Sequence, residues 1–264
     1  MSGDTPVWRY LTLSAVIATI KTRRLRLTRV DRFQDPFEGS VPKKQIEDQN
    51  LLLISGESRR TMMNCVAAHY PGLARSMPPD EDPWNRTKRL RRARTRSSHA
   101  SCWSAADESE VLWRLYCAED GCQGVGVALR TALARLDASV VTHDLYVSPI
   151  RYIRYHEAPA FTDEIAPLLH KRHSFAAEHE VRLLKVDEAH YWALVPKDAS
   201  VSELSEHIYV DWVLSDVIDK IIISPYAEKN YEDLVHDDIN ANDPNLADRV
   251  VLSELDERRD PPNF

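Results

Sequence analysis

Hydrophobic and polar residues alternate in short runs along much of the chain, and period-two alternation is the mark of a half-buried strand. VWRYL (7–11) and LRLTRV (25–30) read this way; ASCWS (100–104), IRYIRY (150–155), HYWALV (190–195), HIYVDWVL (207–214) and DRVVLSEL (248–255) also read as strands. GVGVAL (124–129), ASVVTHDLYV (138–147) and KIIISP (220–225) add strand signals. Helical spacing interrupts them. Ser14 is a candidate N-cap for SAVIATIKTRR, with Val16, Ile17 and Ile20 as its apolar stripe. Asp107 with Glu110 forms a candidate capping box for ESEVLWRLYCAE, whose buried face is expected at Val111, Leu112 and Leu115. A short helix near TALARL, a helical stretch over 157–173 and a helix over YAEKNYEDLVHDDI complete the set.

This order predicts one α+β domain over 1–264, with mixed, largely antiparallel split sheets and flanking helices. Residues from about 42 to 98 are polar and helical in pattern, broken at Pro78-Pro79, and read as a mostly helical insertion. The tail from about 256 to 264, DERRDPPNF at its core, is expected to be loose.

Composition narrows the chemistry. Seven glycines, with neither a GxGxxG nor a Walker-type loop, argue against a Rossmann site and a P-loop. The four cysteines, Cys65, Cys102, Cys117 and Cys122, show no CxxC spacing, so no zinc or other metal site is expected from them, and reduced thiols in a cytoplasmic protein are the simplest reading. No run approaches the roughly 20 apolar residues of a membrane span. MSGDTPVWRY lacks a basic segment followed by an apolar core. The net charge is −7, yet RTKRLRRARTR (86–96) carries seven positive charges and no negative ones, which leaves −14 for the rest. Arg89, Arg91 and Arg92 are thereby candidate nucleic-acid contacts; the alternative is a solvated helix paired with the acidic body.

Three places concentrate chemistry. RFQDPFEG sets Arg32, Asp35 and Glu38 in a loop after a strand, which suits either a site or a plain turn closed by Gly39. SCWS places Ser101 and Trp103 on one strand face, with Cys102 and Ser104 on the other. FAAEHEVRLLKV (175–186) spaces Glu178, Glu180 and Arg182 two apart, so as a strand it aligns them on one face with Val181 and Leu183 inward. Such a face is either a solvated ion-pair surface or a divided carboxylate site, one group for the cation and one for the nucleophile.

The motif order WRYL, RFQDPFEG, SCWS, ESEVLWRLYCAEDGCQGVGVAL, FAAEHEVRLL and KIIISP resembles the DUF2971 family of bacterial proteins, over about residues 8–225. A looser resemblance is to the R–S–E plan of ADP-ribosyltransferases. It implies NAD as cofactor in a cleft between small sheets and a nucleic-acid or protein acceptor, in a toxin or phage-defence setting. Under it Arg9, with Tyr10 beside it, binds the phosphates. Ser101 or Ser104 is the middle-strand serine, Trp113 or Tyr116 stacks on nicotinamide, Glu180 is catalytic, and Glu178 serves the acceptor. SCWS departs from the plan in lacking its middle threonine. Two other classes stay open: a metal-dependent nuclease using Asp35, Glu38, Glu178 and Glu180, and a non-catalytic binding module of a defence or toxin–antitoxin system.

Overall fold

The computed structural model describes residues 1–54, 64, 68, 83–119, 121–141, 144–161, 163–196, 202 and 204–256. Strand β1 (Pro6–Leu11) leads into helix α1 (Leu13–Thr22) and strand β2 (Arg24–Arg29). Helices α2 (Lys43–Ile54) and α3 (Pro83–Arg96) precede β3 (Ser98–Ser104). Then come α4 (Glu110–Tyr116), the ribbon β4 (Ala118–Glu119) and β5 (Cys122–Gln123), β6 (Val127–Ala132) and α5 (Leu133–Val140). β7 (Tyr146–Pro149), β8 (Arg151–Ile153), β9 (His170–Arg172) and β10 (Glu180–Val186) follow, then α6 (Glu188–Leu194) and β11 (His207–Asp211). α7 (Leu214–Val217), β12 (Lys220–Ile223), α8 (Lys229–Asn242) and β13 (Val250–Leu252) close the order.

Nine strands form one mixed sheet, antiparallel except where β12 pairs β13; β8 and β9 form a separate parallel pair. The sheet forks at β3. One edge of β3 is matched by β10 from Ser98 to Ser104. The other edge is shared: β2 pairs at His99 and Ala100, and β1 pairs at Ser104. The expected split sheets are therefore two branches of one sheet that meet at β3.

Alternation assigns the two faces. Val7, Trp103, Val181, Leu183, Ile221 and Ile223 pack against Val16 and Ile20 of α1, Leu136 of α5 and Val235 and Ile239 of α8. On the opposite face Trp8, Tyr10, Ala128 and Ile222 pack on Leu112 and Trp113 of α4. Further along that face Ala100 and Leu184 pack with Val30 and Leu168. No helix among the described residues is long and apolar enough to cross a membrane.

Several expectations need correction. Thr12, not Ser14, caps α1, accepting from the Ala15 amide at 3.3 Å. Ser109, not Asp107, caps α4. Val111 and Leu115 face solvent at 58% and 61% exposure, and Trp113 takes the buried position instead. HYWALV is not a strand: Asp187 accepts from the His190 amide and opens α6, which seats Tyr191 and Val195 on Ala93 of α3. Residues 157–173 hold a short 3-10 turn (Ala166–Leu168) and β9 rather than a longer helix. The insertion is helical at both described ends, α2 and α3, but residue 98 already belongs to β3; Pro78-Pro79 and residues 257–264 lie outside the described residues, while Asp256 is buried.

Candidate functional site

A 3-10 helix (His173–Glu178) ends at His179, whose φ of 43° puts it in the left-handed region and turns the chain into β10. Glu178 thus precedes the strand, so the expected row of three charged groups on one strand face is only Glu180 and Arg182. Neither is solvated: Glu180 is 3% exposed and Arg182 is fully buried. Their strand partners across β3 are Ser104 and Cys102, which fixes the face they share.

Buried charge requires pairing, and here the pairing runs in series. Arg182 Nε donates to Glu180 Oε1 at 2.8 Å. Its two terminal nitrogens grip both oxygens of Glu38 at 3.1 Å each, and one also donates to the Leu168 carbonyl at 2.7 Å. Lys171, from β9, donates to Glu180 Oε2 at 3.1 Å and to Glu178 Oε2 at 2.6 Å. The Tyr116 hydroxyl donates to the remaining Glu178 oxygen at 2.9 Å. The chain of contacts Glu38–Arg182–Glu180–Lys171–Glu178–Tyr116 therefore runs from the interior to a half-exposed phenol. Burial alone would raise the Glu180 carboxyl, but Arg182 and Lys171, with a hydrogen bond from Cys102, outweigh it and hold it at about 2. Burial likewise opposes the charge on Lys171, yet Glu180 and Glu178 push that ammonium above its usual range. Burial, then Glu180, raises the Cys102 thiol well above normal, so it is no ready nucleophile. Burial and Glu178 raise the Tyr116 phenol too, which makes it a donor and not a base.

The DPFEG loop is built into this network. The Asp35 side chain accepts from the Phe37 amide at 3.0 Å and from Arg172 at 2.7 Å. Arg91 of α3 donates to the carbonyls of Glu38 and Pro36. Arg94 donates to the Gly39 carbonyl at 3.2 Å and pairs with Glu164 at 2.6 Å. The basic helix thus clamps the loop. Of the candidate nucleic-acid contacts, Arg89 donates to the Val195 carbonyl and Arg91 to the loop; Arg92 is exposed.

The other candidates disperse. β10, β3 and β1 are neighbours, as the R–S–E plan requires, but side-chain parity separates their residues. Trp8 pairs with Ser104 and so shares the Glu180 face; Arg9 points to the opposite face, its guanidinium 5.8 Å from the Trp103 ring. Burial, with Arg26 nearby, lowers Arg9 to about 10, which leaves it charged at neutral pH. Ser101 is also on that opposite face, its hydroxyl buried without a hydrogen-bond partner. Ser104 is on the Glu180 face but donates to the Glu178 carbonyl at 2.7 Å, locking the entry to β10. Tyr10 stacks edge-on to Trp113 at 4.9 Å and accepts from the Ser109 amide. Trp113 is wholly buried and donates to Glu108 at 2.9 Å, so it is core and no platform for a ligand. Arg32 pairs with Glu206 at the surface. The structure brings together Asp35, Glu38, Glu178, Glu180 and Tyr116 and leaves out Arg9, Tyr10, Ser101, Trp113 and Arg32.

Sequence reasoning missed Lys171, Arg172, Phe37 and Phe175. β9 is three polar residues, His170–Arg172, inside a stretch that looked helical, so no signal pointed to Lys171. Arg172 sits between aromatic rings, its guanidinium carbon 4.7 Å from the Phe37 centroid and 5.1 Å from that of Phe175. Beside it opens a cleft of about 530 Å3.

No family model, curated protein or solved structure matches the chain. The two resemblances therefore rest on the quoted motifs alone.

Proposed function

We propose that the chain is a non-catalytic binding module, in which the carboxylate pair braces a ligand-facing surface. One observation carries this reading: both oxygens of Glu180 are occupied inside the protein, by Arg182 and by Lys171, at 3% exposure. A carboxylate that stabilises a ribosyl cation must touch it, and this one is buried with a cation on each oxygen. The phosphate-binding role of Arg9 loses support on the same ground, since its side chain leaves the opposite face of the sheet. For a nuclease, the four acids would have to share a cation; Asp35, Glu38, Glu178 and Glu180 instead each meet an arginine or lysine. A defence or toxin–antitoxin setting, the cytoplasm and a macromolecular partner belong to this proposal as its context.

A second reading is favoured by the adjacency of β10, β3 and β1 and by the Tyr116–Glu178 contact at the surface. It keeps NAD as the cofactor and makes Glu178, at 12% side-chain exposure, the working carboxylate. The discriminating experiment is nicotinamide release from NAD by the full chain, with and without nucleic-acid and protein acceptors. The binding-module reading expects release no faster than in buffer. Release that disappears in Glu178→Gln would overturn it in favour of the second.

A further inference from the structure

We infer that the cleft between the DPFEG loop, β8 and the 3-10 helix after β9 binds a phosphorylated planar ligand of mononucleotide size. This deepens the binding-module reading and rests on it for the absence of turnover, not for the site. The wall carries Phe37, Tyr155, Arg154, His156, Arg172 and His173, and no carboxylate is among its described residues. Its volume, about 530 Å3, falls in the range of small-molecule sites.

The polar half of the cleft is centred on Arg172. A guanidinium has five N–H donors. This one uses a terminal nitrogen on Asp35 at 2.7 Å, and its side chain, 35% exposed, lies in the cleft wall, where the outer N–H groups can meet a ligand. A phosphate oxygen is the acceptor a planar guanidinium fits best. Asp35 is 3% exposed at its side chain and holds the guanidinium in place, so the donor is oriented before any ligand arrives. Arg154 adds a second cation at the rim. It and His156 meet Glu157 at 3.7 Å and 3.2 Å, but all three are at least 60% exposed, so an arriving phosphate competes with a loose surface pair.

The apolar half is aromatic. Phe37 is 42% exposed, unusual for a phenylalanine, and lies 5.9 Å from the Tyr155 ring at 49°. Tyr155 is tied back through its hydroxyl to the His170 carbonyl, and the Lys43 amide donates to its carbonyl. A base stacked on these rings would place a phosphate against Arg172, whose guanidinium already lies on the Phe37 ring.

The test is calorimetric titration of the full chain with AMP, adenosine and inorganic phosphate. AMP should bind at least tenfold more tightly than either fragment, because only it reaches both halves. Arg172→Lys should weaken AMP about tenfold or more, since lysine lacks the planar fork. Phe37→Leu should weaken it severalfold while melting like wild type, which keeps the test open if the Arg172 variant fails to fold. Absence of AMP heat at millimolar concentration, or wild-type AMP affinity in Phe37→Leu, would overturn the assignment. The nicotinamide assay is independent: release there would sink the non-catalytic reading and leave the AMP result standing.

Discussion

Replacing Arg182 by methionine removes the central cation of the buried network at nearly constant volume. Four hydrogen bonds go: one to Glu180, two to Glu38 and one to the Leu168 carbonyl. Glu38 and Glu180, each 3% exposed, then lack this cation; Lys171 reaches only Glu180, which also keeps the Cys102 thiol. Breaking a buried pair from one side costs about 3–5 kcal/mol. Against a total stability of about 5–15 kcal/mol this is a large fraction, and for a chain of this size it lowers the melting temperature by roughly 6–20 °C. The pH profile supplies a second signature. Glu180 is held at about 2 against an ordinary 4.5, so its folded pKa is depressed. Its contribution is present above about pH 4.5 and disappears as pH falls toward 2. The difference is worth about 3 kcal/mol in wild type. In the variant, burial acts on Glu180 without its main counter-charge, so protonation relieves it and the gap to wild type narrows between pH 7 and pH 4. Urea unfolding at pH 7, 5.5 and 4 measures both. A loss under about 1 kcal/mol, or a gap independent of pH, would refute the buried network as described.

Three further outcomes follow from particular contacts. Trp113→Ala should cost about 3–5 kcal/mol in urea unfolding, because the ring is wholly buried; a ligand platform would leave stability unchanged. Gly39→Ala should cost about 1–3 kcal/mol, read as a lower urea midpoint, since φ is 68° and an added Cβ would lie 2.6 Å from the Thr95 methyl. Nucleic-acid binding, measured as log affinity against log salt, should have a slope no steeper than about −2, because Arg89 and Arg91 are tied to carbonyls and Arg92 is left of the three candidates.

Alternation made β1 and β2 readable, because Trp8 and Tyr10 share one face, as do Leu25 and Leu27; β3, β11 and β12 showed as shorter strand signals. It also placed Glu180 and Arg182 on a common face. What it could not give was depth: a polar row on a strand looks the same whether it meets water or a buried counter-charge. The counter-charge here comes from afar, with Glu38 144 positions from Arg182 and Lys171 on a strand outside the main sheet. The same distance hid the work of the basic run, whose Arg91 and Arg94 find their carbonyls 53 to 70 positions away. Two errors were local. HYWALV is rich in strand-forming residues, but the Asp187 cap and the fit of Tyr191 and Val195 on α3 win as a helix. His179 breaks the strand at its left-handed turn, one residue before Glu180, and a lone histidine in mid-motif does not announce a positive φ.

The most direct measurement is the side-chain 13C signal of Glu180, followed from pH 7 downward, with and without millimolar NAD. The account predicts an ionised carboxylate until about pH 2, or until the chain unfolds if that comes first, and no change with NAD. A midpoint near 4.5, or a shift on adding NAD at pH 7, would contradict it and return Glu180 to an open, ligand-facing site.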